Sequence, residues 1–172
     1  MRKILFSMII AAVTFTLKAQ SDPVNEVFNK YANQKGYTTV NITGDFFKMM
    51  ANTDSKDENL QNLSRSLSEV RILAQDDKNA GEPLDFHKLV YDKLNKNAYK
   101  ELMTVKQSDQ NVNMLVKENN GLISEFLMIV GGDDNVLISI KGNIKLSELA
   151  DMANSFDMKG FEKLKLLENV NN

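Results

Sequence analysis

His87 is the only histidine of this chain and the one side chain whose ordinary pKa lies near neutral pH. Because the chain also has no cysteine, it cannot form a disulfide, a thiolate zinc site or a cysteine nucleophile. A Ser-His-Asp site would require His87, but no Gly-x-Ser-x-Gly turn is present to expose a serine. Phe86 belongs to the apolar face of a predicted helix, so we expect its neighbour His87 to point sideways or outward as an ordinary surface residue.

Carboxylates cluster in three polar segments that predict turns. The clusters are Asp54, Asp57 and Glu58; Asp76 and Asp77; and Asp133 and Asp134. Paired carboxylates can hydrolyse glycosides or bind calcium, but none of these clusters has the Asp-x-Asx-x-Asx-Gly spacing of a calcium loop. Asp favours turns for backbone reasons, so solvated turn residues are the better interpretation.

Gly131-Gly132 could be mistaken for a phosphate-binding loop, but it lacks the following Gly-Lys-Ser/Thr and joins two predicted strands. It predicts a hairpin turn that continues through Asp133 and Asp134. From these patterns we expect no catalytic, cofactor-binding or metal-binding residue, no bound cofactor and no enzymatic activity.

The N-terminus has the features of a cleavable export signal. Arg2 and Lys3 precede an apolar run of fourteen residues, from Ile4 to Leu17, which is shorter than the about 20 residues needed to span a bilayer. Cleavage after Ala19 would make residues 1–19 the signal peptide, and cleavage after Ser21 is the alternative. We expect a periplasmic or secreted protein that is soluble after cleavage, with one domain over residues 20–172 and a frayed C-terminal tail.

The charge and the missing cysteine limit the partners of the mature chain. The signal contains three of the 21 basic residues and none of the 23 acidic ones, so its removal leaves 18 against 23 and a net charge of −5. Nonspecific nucleic-acid binding depends on a basic surface, so we expect no nucleic-acid partner. A bacterial lipid anchor needs a cysteine after the cleavage site, so we expect no membrane anchor once the signal is removed.

The first half of the mature chain mixes helical and strand patterns. Asp22 and Pro23 predict the start of a helix, and a half-buried strand is predicted over residues 37–43. A short helix is predicted over 46–51, helical turns over 60–67, a strand over 69–75 and a helix after Asp85. The side chains expected to face the core are Val24, Val27, Phe28, Tyr31, Val70, Ile72, Ala74, Phe86, Leu89, Val90 and Leu94.

From Tyr99 onward the pattern has a period of two, which predicts four strands over 101–107, 111–118, 122–130 and 135–141. Asn120-Gly121 is a strong hairpin signal, and such short turns require antiparallel neighbours. A helix with Leu146, Leu149, Ala150 and Ala153 on one face follows, and Phe161, Leu164 and Leu167 indicate one more.

Together these elements predict a single α+β domain: a two-layer sandwich with a largely antiparallel sheet of about six strands, a C-terminal four-strand meander, and helices mainly on one face. The strand over 122–130 is apolar on both sides. It is therefore either central and covered twice, or one of its faces binds a ligand or partner.

Residues 40–46 and 138–144 have a weak internal similarity. Each segment is the end of a predicted strand followed by Gly-Asx, at Gly44-Asp45 and Gly142-Asn143. A duplicated βα unit would explain this similarity, and so would the general preference of strand-to-helix corners for these residues. Both explanations stay open.

Four segments of the chain resemble the family known as domain of unknown function 4252. These are Val70–Leu73, Lys100–Val105, Glu125–Val130 and Asn135–Ile144. The resemblance implies an exported protein of Gram-negative bacteria, and the frequent association of the family with genes for extracytoplasmic sigma factors implies a role in envelope signalling or stress. Many members look like lipoproteins, whereas this chain lacks the lipid-bearing cysteine. The shared motifs are structural and imply no active-site residue.

Three functions remain compatible with these patterns. The leading hypothesis is a noncatalytic protein- or peptide-binding module of the cell envelope, which predicts an apolar surface patch. The alternative is a carrier of a small hydrophobic ligand, in a cavity between sheet and helices lined by residues such as Phe46, Met50, Phe126 and Met128. The third is a carboxylate-dependent hydrolase, which requires two acids to converge in a cleft.

Overall fold

The computed structural model describes residues 22–53, 58–76 and 84–155. The predictions that fall elsewhere lie outside the described residues: the signal peptide, Asp54, Asp57, Asp77 and the helix indicated around Phe161. Within these residues the α-helices are α1 (Pro23–Tyr31), α2 (Gly44–Thr53), α3 (Glu58–Ser66), α4 (Phe86–Leu89) and α5 (Leu146–Ser155). The six strands are β1 (Tyr37–Thr43), β2 (Leu67–Gln75), β3 (Lys100–Lys106), β4 (Gln110–Asn119), β5 (Leu122–Gly132) and β6 (Val136–Ile144).

The six strands form one sheet in the order β1-β2-β6-β5-β4-β3, and every neighbouring pair in it is antiparallel. The predicted α+β class, the six-stranded sheet and the C-terminal meander of β3 to β6 are confirmed. Asn120 and Gly121 have φ values of 53° and 79°, the left-handed conformation that a two-residue turn between β4 and β5 requires. β6 closes the meander against β2, which joins the two halves of the chain.

Two hydrophobic cores lie on opposite faces of the sheet. On one face, α2, α3 and α5 pack on a core that includes Phe126 and Met128. On the other face, α1 and α4 pack on a core that includes Leu127 and Ile129. All four of these β5 side chains are 0% exposed, so β5 is central and covered twice, which is the first of the two alternatives that its sequence left open. Three of the helices lie on one face of the sheet, which agrees with the prediction of helices mainly on one face. The opposite face carries the smaller group, α1 and α4.

Caps and turns explain where several elements begin and end. The Asp22 carboxylate accepts hydrogen bonds from the N–H groups of Val24 and Asn25, at 3.0 and 3.2 Å, and starts α1 as predicted. Asp85 caps α4 in the same way, but α4 is only one turn long and is followed by two 3-10 turns, Tyr91–Lys93 and Lys96–Ala98. The longer helix predicted there is wrong, although Phe86, Val90 and Leu94 are buried as expected.

Several smaller predictions need correction. β1 is mostly exposed rather than half-buried, and Leu73 of β2 is fully buried in the core opposite to that of Val70. At the start of α5, Leu146 is 56% exposed, because Leu149 and Met152 provide the buried contacts. Gly131 and Gly132 are the last residues of β5, so the turn itself begins at Asp133.

Candidate functional site

β1 is an outer strand of the sheet, and its only strand neighbour among the described residues is β2. Thr38, Thr39, Val40 and Asn41 are all exposed. Val40 is 37% exposed although it lies on the sheet face that carries α2. The strand is therefore accessible both along its outer edge and on its side chains.

The direction of the free backbone groups follows from the β1–β2 register. The N–H of Asp76 donates to the carbonyl of Gly36 at 2.9 Å, which continues the register in which Tyr37 lies opposite Gln75. Hydrogen-bonded pairs alternate in an antiparallel ladder, so the backbone groups of Thr38, Val40 and Ile42 point toward β2. Those of Thr39 and Asn41 point the other way, toward the outer edge.

The two outer strands of the sheet differ in how they are protected. β3 contains Lys100, Glu101 and Lys106, and its register with β4 is shifted between Glu101 and Met103. Charged side chains and irregular pairing are the usual devices that keep an edge from pairing with another strand. β1 has the sequence YTTVNIT, with no charged residue and no proline, and its pairing with β2 is regular. β1 is thus the edge that remains competent to pair.

Helix α2, which follows β1 directly, has apolar side chains on two sides. Phe47 and Ala51 are 3% exposed and face the core. Phe46, Met49 and Met50 have the i, i+3, i+4 spacing of a second face and are 49%, 69% and 43% exposed. A helix that is apolar on both sides needs a second packing partner to bury its outer side.

α2 packs on β1, β2 and α3, so it lies at the same border of the sheet as β1. We define the β1–α2 surface by two groups of residues: Thr39, Val40 and Asn41 of β1, and Phe46, Met49 and Met50 of α2. The exposed cluster of large apolar side chains on this surface is the kind of patch that marks interaction sites on soluble proteins.

His87 lies in a separate groove of about 760 Å³ at the opposite border, between β3 and the first 3-10 turn. Its ring centre is 4.6 Å from that of Tyr91, and its side chain is 19% exposed, so it is more buried than the surface residue that we expected. Nδ1 is 3.8 Å from the Asp92 carboxylate, which is too long for the hydrogen bond that would orient a catalytic base.

The same groove is lined by two acids, Asp92 and Glu101, and by two lysines, Lys96 and Lys106. The Tyr91 hydroxyl donates to Glu101 at 3.5 Å, and burial together with this carboxylate raises the pKa of Tyr91. Over the parts of the chain that are described, no three His, Asp or Glu residues are grouped as a metal site would require.

A row of charges crosses four strands on the α1 side of the sheet. Glu69, Lys141, Glu125 and Lys117 lie opposite one another in register, and the ion-pair distances along the row are 3.9 to 4.0 Å. The Tyr99 hydroxyl donates to Glu125 at 2.7 Å, and burial, followed by this hydrogen bond, raises the pKa of Tyr99. Because unlike charges lie opposite one another across these strands, the row stabilises the sheet.

The members of the carboxylate clusters that the structure describes are all exposed. Asp133 and Asp134 are exposed in the turn before β6, and Glu58 is exposed at the start of α3. Asp76 is exposed and accepts a hydrogen bond from the Thr38 hydroxyl. The four residues expected to line a carrier cavity are also separated, because Phe46 and Met50 are exposed whereas Phe126 and Met128 are fully buried.

The fold is that of an α+β protein with an antiparallel sheet. One outer strand of the sheet, β1, is not protected against pairing with another strand, and the helix beside it has exposed apolar side chains. The chain belongs to the family described as Domain of unknown function (DUF4252), whose sequence model matches residues 31–152, so the resemblance seen in the sequence is confirmed. No curated protein and no solved structure matches the chain. In the described residues, no helix combines the length and apolar character needed to cross a membrane.

Proposed function

We propose that this protein is a noncatalytic, exported module of the cell envelope that binds a protein partner through the β1–α2 surface. The observation that carries the proposal is the combination of an uncharged, regular outer strand with three exposed apolar side chains on the adjacent helix. The family's frequent association with extracytoplasmic sigma-factor genes favours a role in envelope signalling or stress.

The mode of binding follows from the free groups on this surface. An extended segment that pairs with β1 would exchange main-chain hydrogen bonds with Thr39 and Asn41, and these supply affinity without side-chain specificity. Phe46, Met49 and Met50 would add apolar contacts, and methionine side chains adapt easily to the shape of a partner. Strand addition and apolar burial together would bury the outer face of α2.

A capture experiment with envelope extract tests the proposal. Val40→Lys introduces a charge at the edge, and Met49→Lys introduces one on the outer face of α2, so each should reduce recovery of a bound protein about tenfold or more. Asn119→Lys adds the same charge at an exposed site on β4 and serves as the matched control. Recovery is quantified by mass spectrometry. If no captured protein depends on Val40 and Met49, this function is rejected.

A further inference from the structure

We infer that the occupant of the β1–α2 surface is a second copy of this chain, paired antiparallel through β1 so that two six-stranded sheets join into one. This inference rests on the proposed function and names the partner for the same surface. The inference depends on the ability of β1 to pair with a second β1. Binding of a foreign segment would not require this property.

The register of the pair follows from the backbone directions. Thr39 and Asn41 present their N–H and C=O groups outward, and hydrogen-bonded pairs form only between residues that both do so. A two-fold axis at Val40 places Thr39 of one copy opposite Asn41 of the other, and Tyr37 opposite Thr43. All seven residues of β1 then pair, and every outward-facing group of Thr39 and Asn41 has a partner.

The side chains permit this symmetric arrangement. In a two-fold pair the residue on the axis meets its own copy, so a charged residue at the centre of β1 would face a like charge and weaken the pair. β1 contains no charged residue, and the residue on the axis is Val40, a β-branched side chain with 37% of its surface exposed in the single chain. Pairing would place the two Val40 side chains in contact.

The exposed face of α2 adds to the same interface. The axis of an antiparallel pair is perpendicular to the sheet, so α2 of both copies lies on the same face of the joined sheet. Stable dimers bury about 1,200–2,000 Å² in total, more than a short pair of strands supplies. Phe46, Met49 and Met50, present once in each copy, provide the apolar area that the strands lack.

Cross-linking through single cysteines tests the register, and the absence of native cysteine makes the background clean. Val40 would be a non-hydrogen-bonded pair with its symmetry mate, with Cα atoms about 4.5 Å apart, within the range of a disulfide. The Thr38 residues of the two copies would be about 14 Å apart. With protein purified from cells expressing the full chain, Val40→Cys should therefore form disulfide dimers under mild oxidation about tenfold faster than Thr38→Cys.

Charge exchange gives an independent test on the same axis. Val40→Lys and Val40→Glu should each be monomeric by light scattering at concentrations where the natural chain is dimeric, and their equimolar mixture should be dimeric. Circular dichroism verifies that each variant is folded. Equal cross-linking of Val40→Cys and Thr38→Cys, or a dimer that neither charged variant disrupts, contradicts the inference.

The inference and the proposed function fail in different ways. A natural chain that is monomeric up to high micromolar concentration, yet captures an envelope protein in a Val40-dependent manner, overturns the second copy and leaves the proposed function standing. A dimer with the Val40 register and no other captured protein supports the second copy and rejects a separate envelope partner.

Discussion

Asn135 illustrates how one polar side chain can connect distant parts of this chain. It is 3% exposed, and its Oδ1 accepts the N–H of Phe86 at 2.8 Å. Its Nδ2 donates to the carbonyl of Leu84 at 2.8 Å and to the side chain of Gln75 at 2.9 Å. Asn135 thus fixes the start of α4 and the end of β2 to the turn between β5 and β6. The sequence indicated only the beginning of a strand at this position.

Replacement of Asn135 by alanine should lower the free energy of unfolding by about 3 kcal/mol, because it removes the acceptor of the buried Phe86 N–H and the hydrogen bonds that Asn135 donates to Leu84 and Gln75. Chemical denaturation followed by circular dichroism measures the change. Asn143→Ala, at an exposed site on β6, is the control and should change stability by less than about 0.5 kcal/mol. Equal effects of the two substitutions would mean that the Asn135 hydrogen bonds contribute nothing specific.

At the scale of elements, both Gly-Asx corners pack against the junction of α3 and β2. A Cβ on Gly44 would lie 2.8 Å from the carbonyl oxygen of Leu67, and one on Gly142 would lie 2.0 Å from that of Ser66. Close backbone approach therefore explains each glycine by itself. The similarity between the two segments thus has a physical reason that does not require a duplicated βα unit. The corners also differ, since α2 begins at Gly44 whereas β6 continues past Gly142 to Ile144.

Gly142→Ala should destabilise the protein by about 2–3 kcal/mol, because the backbone at the junction of α3 and β2 has to move to make room for the methyl group. The midpoint and slope of a denaturation curve measure this loss. Gly121→Asn is the comparison: Gly121 has a φ of 79° with open space around it, and Asn tolerates that conformation. A Gly142 variant as stable as the Gly121 variant would contradict the close packing.

The sequence predicted most of the strands, but it did not predict which strands and side chains are exposed. A period of two located β4, β5 and β6 to within a few residues, because alternation depends only on side chains near in the chain. It could not reveal that β1 is an outer strand, since a central and an outer strand share the same alternation. The sequence predicted a short helix over 46–51, but only the packing of Phe47 and Ala51 revealed that Phe46, Met49 and Met50 lie on its exposed face.

At the scale of the whole molecule, export through the N-terminal apolar run is a proposal that rests on the sequence. Expression of the full chain in a Gram-negative host should yield a periplasmic protein that starts at Gln20, identified by intact mass. Ile9→Arg interrupts the apolar run and should leave the uncleaved precursor in the cytoplasm. Efficient processing of the Ile9 variant would rule out this segment as the signal, and a start at Asp22 would select the alternative cleavage site.

Sequence alone determined the cap at Asp22, the Asn120-Gly121 turn, the lack of cysteine chemistry and the double-sided apolar character of β5. Each depends on residue type or on neighbours in the chain, where sterics and hydrogen bonding act locally. Only the tertiary structure decided that β6 lies between β2 and β5, that His87 borders a groove, and that β1 and the outer face of α2 are exposed together. Those features arise from contacts between residues far apart in sequence, because burial depends on which elements meet in space.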